Sequence, residues 1–377
     1  MMIGWVAAVA RRRQQQHDRA PMATLFGAML SIAVRAQQPP MESKAPEARH
    51  AVMAVAWGYP VTAYAAFLGS LRRTGYSGAI LLFEPRPQKK QHEQPPSKEV
   101  SEVVAMHGAS AQRVDFPRDI PLYVGRFVVY ARACREGGFL ACMSADFRDV
   151  YFQENPFLRL PSPTPDLVLP LESKTIGKEP HNHLGVLKCY GADVVQAISN
   201  RTVACAGVLI GSPKGFEVLS ETLPALVRGC HLSKGSLAVR TAKQLIADQA
   251  ALNVFVYHHL GLDGSKHEAQ VVGDDVVRAV QTTLHVAASS VSPALRGGSS
   301  LGSALREGLR VRFEAAGAGI VYTLGSAHKG GKAAEAFQAE HMKDGYILNA
   351  DQTLAPVLHQ CEPCGTPRRE HALPFAA

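Results

Sequence analysis

The 377-residue chain contains no apolar run long enough to cross a bilayer as a helix. Its uncharged stretch at residues 22–34 has 13 residues, whereas a helical span needs about 20. No basic helix with interleaved aromatics is present, which removes the usual sequence case for nucleic-acid binding. There is no internal repeat, so a solenoid is excluded. No Gly-x-Ser-x-Gly elbow appears, and a serine hydrolase reading has no support. Charged residues make up 19% of the chain against 46% apolar ones. That balance excludes global disorder and supplies a core. The cysteines number seven; the odd count and scattered spacing imply no disulfide framework. Cys361 and Cys364 have C-x-x-C spacing, but no second pair completes a zinc site.

What is present is a mildly basic chain with formal net charge +8. Residues 1–45 hold Arg11, Arg12, Arg13, Arg19, Arg35 and Lys44 against Asp18 and Glu42, a net of +4. Half of the excess therefore sits at the amino end. The remainder suits a phosphate-bearing small molecule. The arginines before the uncharged run read as a targeting segment. It is either a signal-peptide region, with a poor small-residue cleavage site at 33–36, or an organelle transit peptide. The expected organisation is a leader and linker over 1–49, one domain over 50–365 and a tail over 366–377. A Ser/Gly/Ala-rich loop insertion interrupts the domain at about 286–307.

Periodicity predicts a strand over 51–57, a helix over 62–73 and a strand over 78–83. A further helix-like stretch, a short strand near 111–114 and a helix over 122–135 follow. Continuous apolar strands joined by helices point to an α/β fold, with a mostly parallel sheet covered on both faces. A strand over 203–210, a helix over 216–227 and a long helix over 237–260 follow. Short strands are expected at 270–272, 320–324, 347–349 and 356–359.

Residues 144–157 read SADFRDVYFQENPF and follow the apolar run 138–143. Charges placed where a buried strand ends usually have a role, because burying them unpaired is costly. Asp146 and Asp149 would face opposite ways on a regular strand; only a turn brings them to one side. At the carboxyl end of a parallel sheet, where ligands bind, two carboxylates can hold a divalent cation that neutralises a diphosphate. Arg148 can pair with one carboxylate or reach a phosphate. Spacing alone leaves open a plain surface turn with an Asp–Arg ion pair. Asp248 falls on the apolar stripe of Leu237, Thr241, Leu245 and Leu252 and should point inward, as a functional acid or a structural partner. Gln249 and Asn253, four apart, flank the same face. Gly207 and Gly211 either allow backbone to approach a ligand closely or mark a loop exit. The run GSAHKGGK at 325–332 lacks the spacing and hydroxyl of a P-loop. Asn200-Arg201-Thr202 is a formal glycosylation sequon, but its place before a core strand argues against modification.

The segment 144–157 resembles the D-x-R-D-V-x-F-Q-x-x-P-F signature of a plant and algal group of nucleotide-diphospho-sugar transferase-like proteins with the GT-A fold. Four other blocks are similar to that group in the same order: AVAWGYPVTAYAAFLGSLRRTGYSGAILLF at 54–83, ISNRTVACAGVLIGSPKGF at 198–216, DQAALN at 248–253, and YILNADQTLAPVLHQ at 346–360. The resemblance implies a GT-A-like sheet with a Rossmann-like nucleotide-sugar-binding half. It also implies transfer of a sugar, UDP-linked, to a hydroxyl of a glycan or protein. Asp146, Asp149 and His359 match its Mn²⁺ or Mg²⁺ ligands. The 198–216 segment resembles the group's N-x-G-x-x-x-G acceptor-side block; the candidate cofactor-binding residues are Arg148, Gly207, Gly211 and Asn253, and the candidate catalytic residues are Asp248, expected to orient the sugar or acceptor, and Gln249. Leader and family together suggest the secretory pathway, with the Golgi expected and membrane attachment only through the amino-terminal segment. The chain departs from the group after His359, where Gln360-Cys361-Glu362-Pro363 replaces Gln-Tyr-Asp-Arg. It departs again at Gln352, where the group has glycine. A non-catalytic binding or scaffold protein of the same fold is the alternative.

Overall fold

The computed structural model describes residues 49–86, 96–230, 247–266, 268–271, 275–276, 308–315, 320–323, 342–343, 346–349 and 353–359. The chain divides into Met1–Pro46 and Glu47–Ala377, and every described residue lies in the second unit. Arg49 apart, the expected leader and linker, together with the insertion, the tail, the P-loop-like run, Gln352, and Cys361 and Cys364, lie outside the described residues.

The chain enters through strand β1 (His50–Val55), helix α1 (Val61–Arg73) and strand β2 (Ala79–Pro85). Helix α2 (Lys98–Met106), strand β3 (Ser110–Val114), helix α3 (Leu122–Glu136) and strand β4 (Ala141–Ala145) complete a first α/β half. Then come β5 (Val150–Phe152), β6 (Leu167–Thr175), α4 (Pro180–Tyr190), α5 (Ala192–Ile198), β7 (Thr202–Ala204), β8 (Val208–Gly211) and α6 (Pro213–Gly229). Helix α7 (Ala247–Asn253) runs into a π-helical turn at Val254–His259. Strands β9 (Glu268–Val271), β10 (Leu309–Glu314), β11 (Val321–Thr323), β12 (Met342–Lys343), β13 (Tyr346–Ile347) and β14 (Val357–His359) follow.

Nine strands form the main sheet in the order β3-β2-β1-β4-β8-β6-β10-β9, with β7 beside β6. Strands β1, β2, β3, β4, β6 and β10 run one way, while β7, β8 and β9 run the other. The α/β fold with a mostly parallel sheet is therefore the fold observed. Alternation along the strands builds a core on each face. Ala51 and Met53 of β1 join α3, α6 and α7 on one side. Val52 and Ala54 join α1 and α2 on the other.

Two expectations are corrected, one helix is described only in part, and one strand was missed. The strand expected over 203–210 is two strands, because residues 205–207 leave β6 and re-enter the sheet as β8, antiparallel to both neighbours. The long helix over 237–260 is described only from Ala247, and its end widens into the π turn. Two disulfides join Cys134 to Cys142 and Cys189 to Cys230, against the expectation of no framework; proximity in space, not spacing, made these pairs. Strand β6 was missed, since Pro170 breaks its strand signal and its far end reads Glu172-Ser173-Lys174. Asn200 is exposed in the turn before β7. No helix among the described residues is long and apolar enough to cross a membrane.

Candidate metal centre

The answer to why the strand β4 ends in charge and continues into aromatics lies in the turn that follows it. The Asp146 N–H donates to the Gly207 carbonyl at 2.8 Å, which carries the β4–β8 pairing one step past the strand. The aromatics pack beneath. Phe147 meets Tyr59, Tyr64 and Phe67, and Phe152 meets Phe67. Phe157 stacks on His50 and Tyr76. With these rings buried on the α1 side, the intervening Asp146 and Asp149 are left partly open.

A second sheet brings the late histidine to them. β14 pairs antiparallel with β5, setting His359 opposite Val150, the residue after Asp149. Gln153 stitches this segment down. Its side-chain amide donates to the carbonyls of Ile347 (2.9 Å) and Ala355 (2.7 Å), and its oxygen accepts from the Ile347 N–H at 2.9 Å. One potential ligand atom from each of Asp146, Asp149 and His359 lies within 4.8 Å of the others. His359 is buried, with Nε2 3.6 Å from Asp146 Oδ2 and Nδ1 3.3 Å from the Cys205 sulfur.

Gly207 forms the floor. A Cβ built there would lie 2.2 Å from His359 Nε2 and 2.8 Å from Asp146 Oδ2, so only a glycine leaves these ligand atoms room. Two carboxylates and an imidazole nitrogen, open on one side, are a donor set suited to Mn²⁺ or Mg²⁺. The residues present fit a divalent cation.

Arg126 of α3, which the sequence did not single out, is the buried cation of the site. It pairs with Asp146 through Nη1; Nη2 donates to the Ala206 carbonyl at 2.8 Å and to Asp248 at 3.1 Å. Burial would raise the Asp146 carboxyl, but the Arg126 charge and the His359 hydrogen bond bring it down to about 2. Burial raises Asp149, against the lowering pull of His359. Asp248 is also raised by burial, with Arg126 opposing. His359 lies well above its ordinary value, because the Cys205 sulfur and both aspartates outweigh burial.

The other expected residues divide. Gln249 is locked at both ends, accepting from the Ala206 N–H (3.2 Å) and donating to Glu172 (2.9 Å). Glu172, half-buried and raised by burial, is a further carboxylate that sequence reasoning missed. Arg148 is exposed, and its charge favours the ionised form of Asp149. Two of the expected residues lie apart from this cluster. Asn253 is fully buried and spends its amide on both backbone groups of Ala204 and on the Gln249 carbonyl. It holds β7 through these bonds. Gly211 pairs with Cys142, at the opposite end of β4 from Asp146. A Cβ there would meet the Asp166 carbonyl at 2.8 Å, so its glycine serves packing.

No protein-family model matches the chain, and no curated protein matches it. Among solved structures it is similar to the galactosyltransferase LgtC in complex with donor and acceptor sugar analogs, at 13% identity and a TM-score of 0.40, over 86% of this chain and 91% of that one. It is also similar to the glycosyltransferase GlyE of Streptococcus pneumoniae TIGR4, at 16% and 0.33, over 55% of this chain and 42% of that one. Core-mannan synthase A from Aspergillus fumigatus, in its Mn/GDP form, is similar at 11% and 0.32, over 57% and 72%. At these identities and scores the likeness carries no inference about substrate, so function is read from the site's own geometry.

Proposed function

We propose that the protein is a metal-assisted GT-A glycosyltransferase that moves a sugar from a UDP-linked donor to a hydroxyl of a glycan or protein. The observation that carries this reading is the convergence of Asp146, Asp149 and His359 where β4 ends, with Gly207 as their floor. A bound Mn²⁺ or Mg²⁺ would stabilise the charge of the leaving diphosphate. The chain's own residues do the rest. Arg126 fixes Asp146 in its ionised form and orientation. Asp248 acts through Arg126 and is a positioning residue in this arrangement. Trp57, 55% exposed at the exit of β1, and Tyr59 beside it offer aromatic faces for a nucleobase. Glu172, steadied by Gln249, is a carboxylate able to accept a hydrogen bond from an acceptor hydroxyl. Two disulfides and the basic leader support a secretory-pathway setting, with the Golgi as the proposed station and the amino-terminal segment as the attachment.

The test is UDP release from a panel of UDP-sugars by the full-length protein, with and without Mn²⁺. Release that needs Mn²⁺ and falls to background in Asp149→Asn supports the reading. A folded protein that binds UDP but turns over neither UDP- nor GDP-sugars is a scaffold instead.

A further inference from the structure

Cys205 is the free cysteine among the described residues. It is fully buried and sits in the three-residue crossing between β7 and β8, held by its N–H to the Pro170 carbonyl at 2.8 Å. Its sulfur lies 3.3 Å from Nδ1 of His359, on the side of the ring away from Asp146. The imidazole thus has a sulfur at Nδ1, while at Nε2 the missing side chain of Gly207 leaves the space a Cβ would fill.

We propose that Cys205 is the positioning residue for His359 in the metal centre. The inference rests on the metal reading above. A histidine nitrogen can bind a cation only through a lone pair, so Nε2 must be free of its proton and Nδ1 must carry it. The Nδ1–H then needs an acceptor in a buried setting, since an unpaired one is costly. The Cys205 sulfur is that acceptor, and it selects both the tautomer and the ring plane. Such outer partners of metal-bound histidines are usually carboxylates or carbonyls, and their loss weakens metal affinity by about 10–100-fold. A sulfur in this place is a weak, polarizable acceptor. Sulfur also suits the local charge, because Asp146 and Asp149 already stand on the Nε2 side and a third carboxylate would crowd the ring.

The test is a Mn²⁺ titration followed by electron paramagnetic resonance on the full-length wild type, Cys205→Ala, Cys205→Ser and Asp149→Ala, with a thermal unfolding midpoint for each. Cys205→Ala should weaken Mn²⁺ binding by about tenfold or more. Cys205→Ser keeps an acceptor and should fall between Ala and wild type, whatever its midpoint. If Cys205→Ala and Cys205→Ser both bind Mn²⁺ like the wild type while Asp149→Ala does not, the metal site stands and the role of Cys205 is overturned. If the wild type binds no Mn²⁺, or Asp149→Ala binds it unchanged, the metal reading fails and this inference falls with it.

Discussion

At the scale of single residues, Arg126 decides how the site is charged. One buried guanidinium serves two carboxylates, and it lowers Asp146 while burial wins at Asp248. Removing one partner from such a group leaves a buried charge uncompensated, which costs more than the pair itself contributes. Gly207 in the crossing and Gly211 at the end of β8 give a cleaner contrast. Gly207→Ala puts a Cβ on top of His359 Nε2, so we expect Mn²⁺ affinity to fall by about 10–100-fold with a modest change in unfolding midpoint. Gly211→Ala meets backbone at Asp166 instead. It should lower the midpoint while leaving the affinity of the folded protein unchanged. Calorimetric Mn²⁺ titration alongside thermal melts of both variants separates the two effects.

His259 supplies a pH signature away from the metal centre. Burial first, then the neighbouring His258, lower it to about 4. An ordinary histidine titrates near 6.5. Between these values the unfolded chain binds the proton and the folded one does not, so stability rises with pH across the window and is lost as pH falls towards 4. Wild type should therefore lose more of its unfolding midpoint than His259→Gln between pH 7 and pH 5. Equal losses would remove His259 from the pH response.

At the scale of elements, the site depends on two strand pairings distant in sequence. β8 enters the sheet antiparallel to β4, which is why the start of β8 meets the end of β4 and why Gly207 abuts Asp146. β14 pairs with β5, which is why a histidine near the carboxyl end lies beside Asp149. Gln153 holds the second pairing with three hydrogen bonds. Gln153→Ala removes the side-chain partners of the Ile347 N–H and the Ala355 carbonyl, while the Ile347 carbonyl keeps the Ala355 N–H, so a destabilisation of about 1–3 kcal/mol is expected. Mn²⁺ affinity should weaken with it, because β14 carries His359. Chemical denaturation with a parallel Mn²⁺ titration checks both. A destabilised variant that retains full affinity would show that β14 is placed by something else.

These pairings also mark what the sequence disclosed. The acids of segment 144–157 were legible because they stand at a strand exit, whereas the role of Gln153 in fastening the late strand shows only in the structure. The helices and strands of the first half were legible from period alone, within a residue or three. Arg126, Glu172 and Cys205 were not, since they join the site through the packing of α3, the Gln249 contact to β6 and the crossing before β8, and no local pattern encodes these. The same holds for the disulfides. Cys134 and Cys142 lie on neighbouring elements α3 and β4, while Cys189 and Cys230 join the end of α4 to the end of α6.

At the scale of the whole molecule, the described fold brings the ligand candidates together where β4 of the main sheet ends and β14 of the second sheet pairs with β5, with Tyr59 close to both aspartates. A diphosphate needs a cation at that spot, because Asp146 and Asp149 would otherwise repel it. In the proposed site Mn²⁺ binds the three ligands first, and the nucleotide should then bind well only to the metal-loaded protein. Calorimetry of UDP against the full-length protein, with Mn²⁺, without it, and on Asp149→Ala, measures that linkage in one set of titrations. We predict UDP binding that requires Mn²⁺ and vanishes in the variant. UDP binding of equal strength without metal, or binding that survives Asp149→Ala, would contradict a metal–diphosphate site at Asp146, Asp149 and His359.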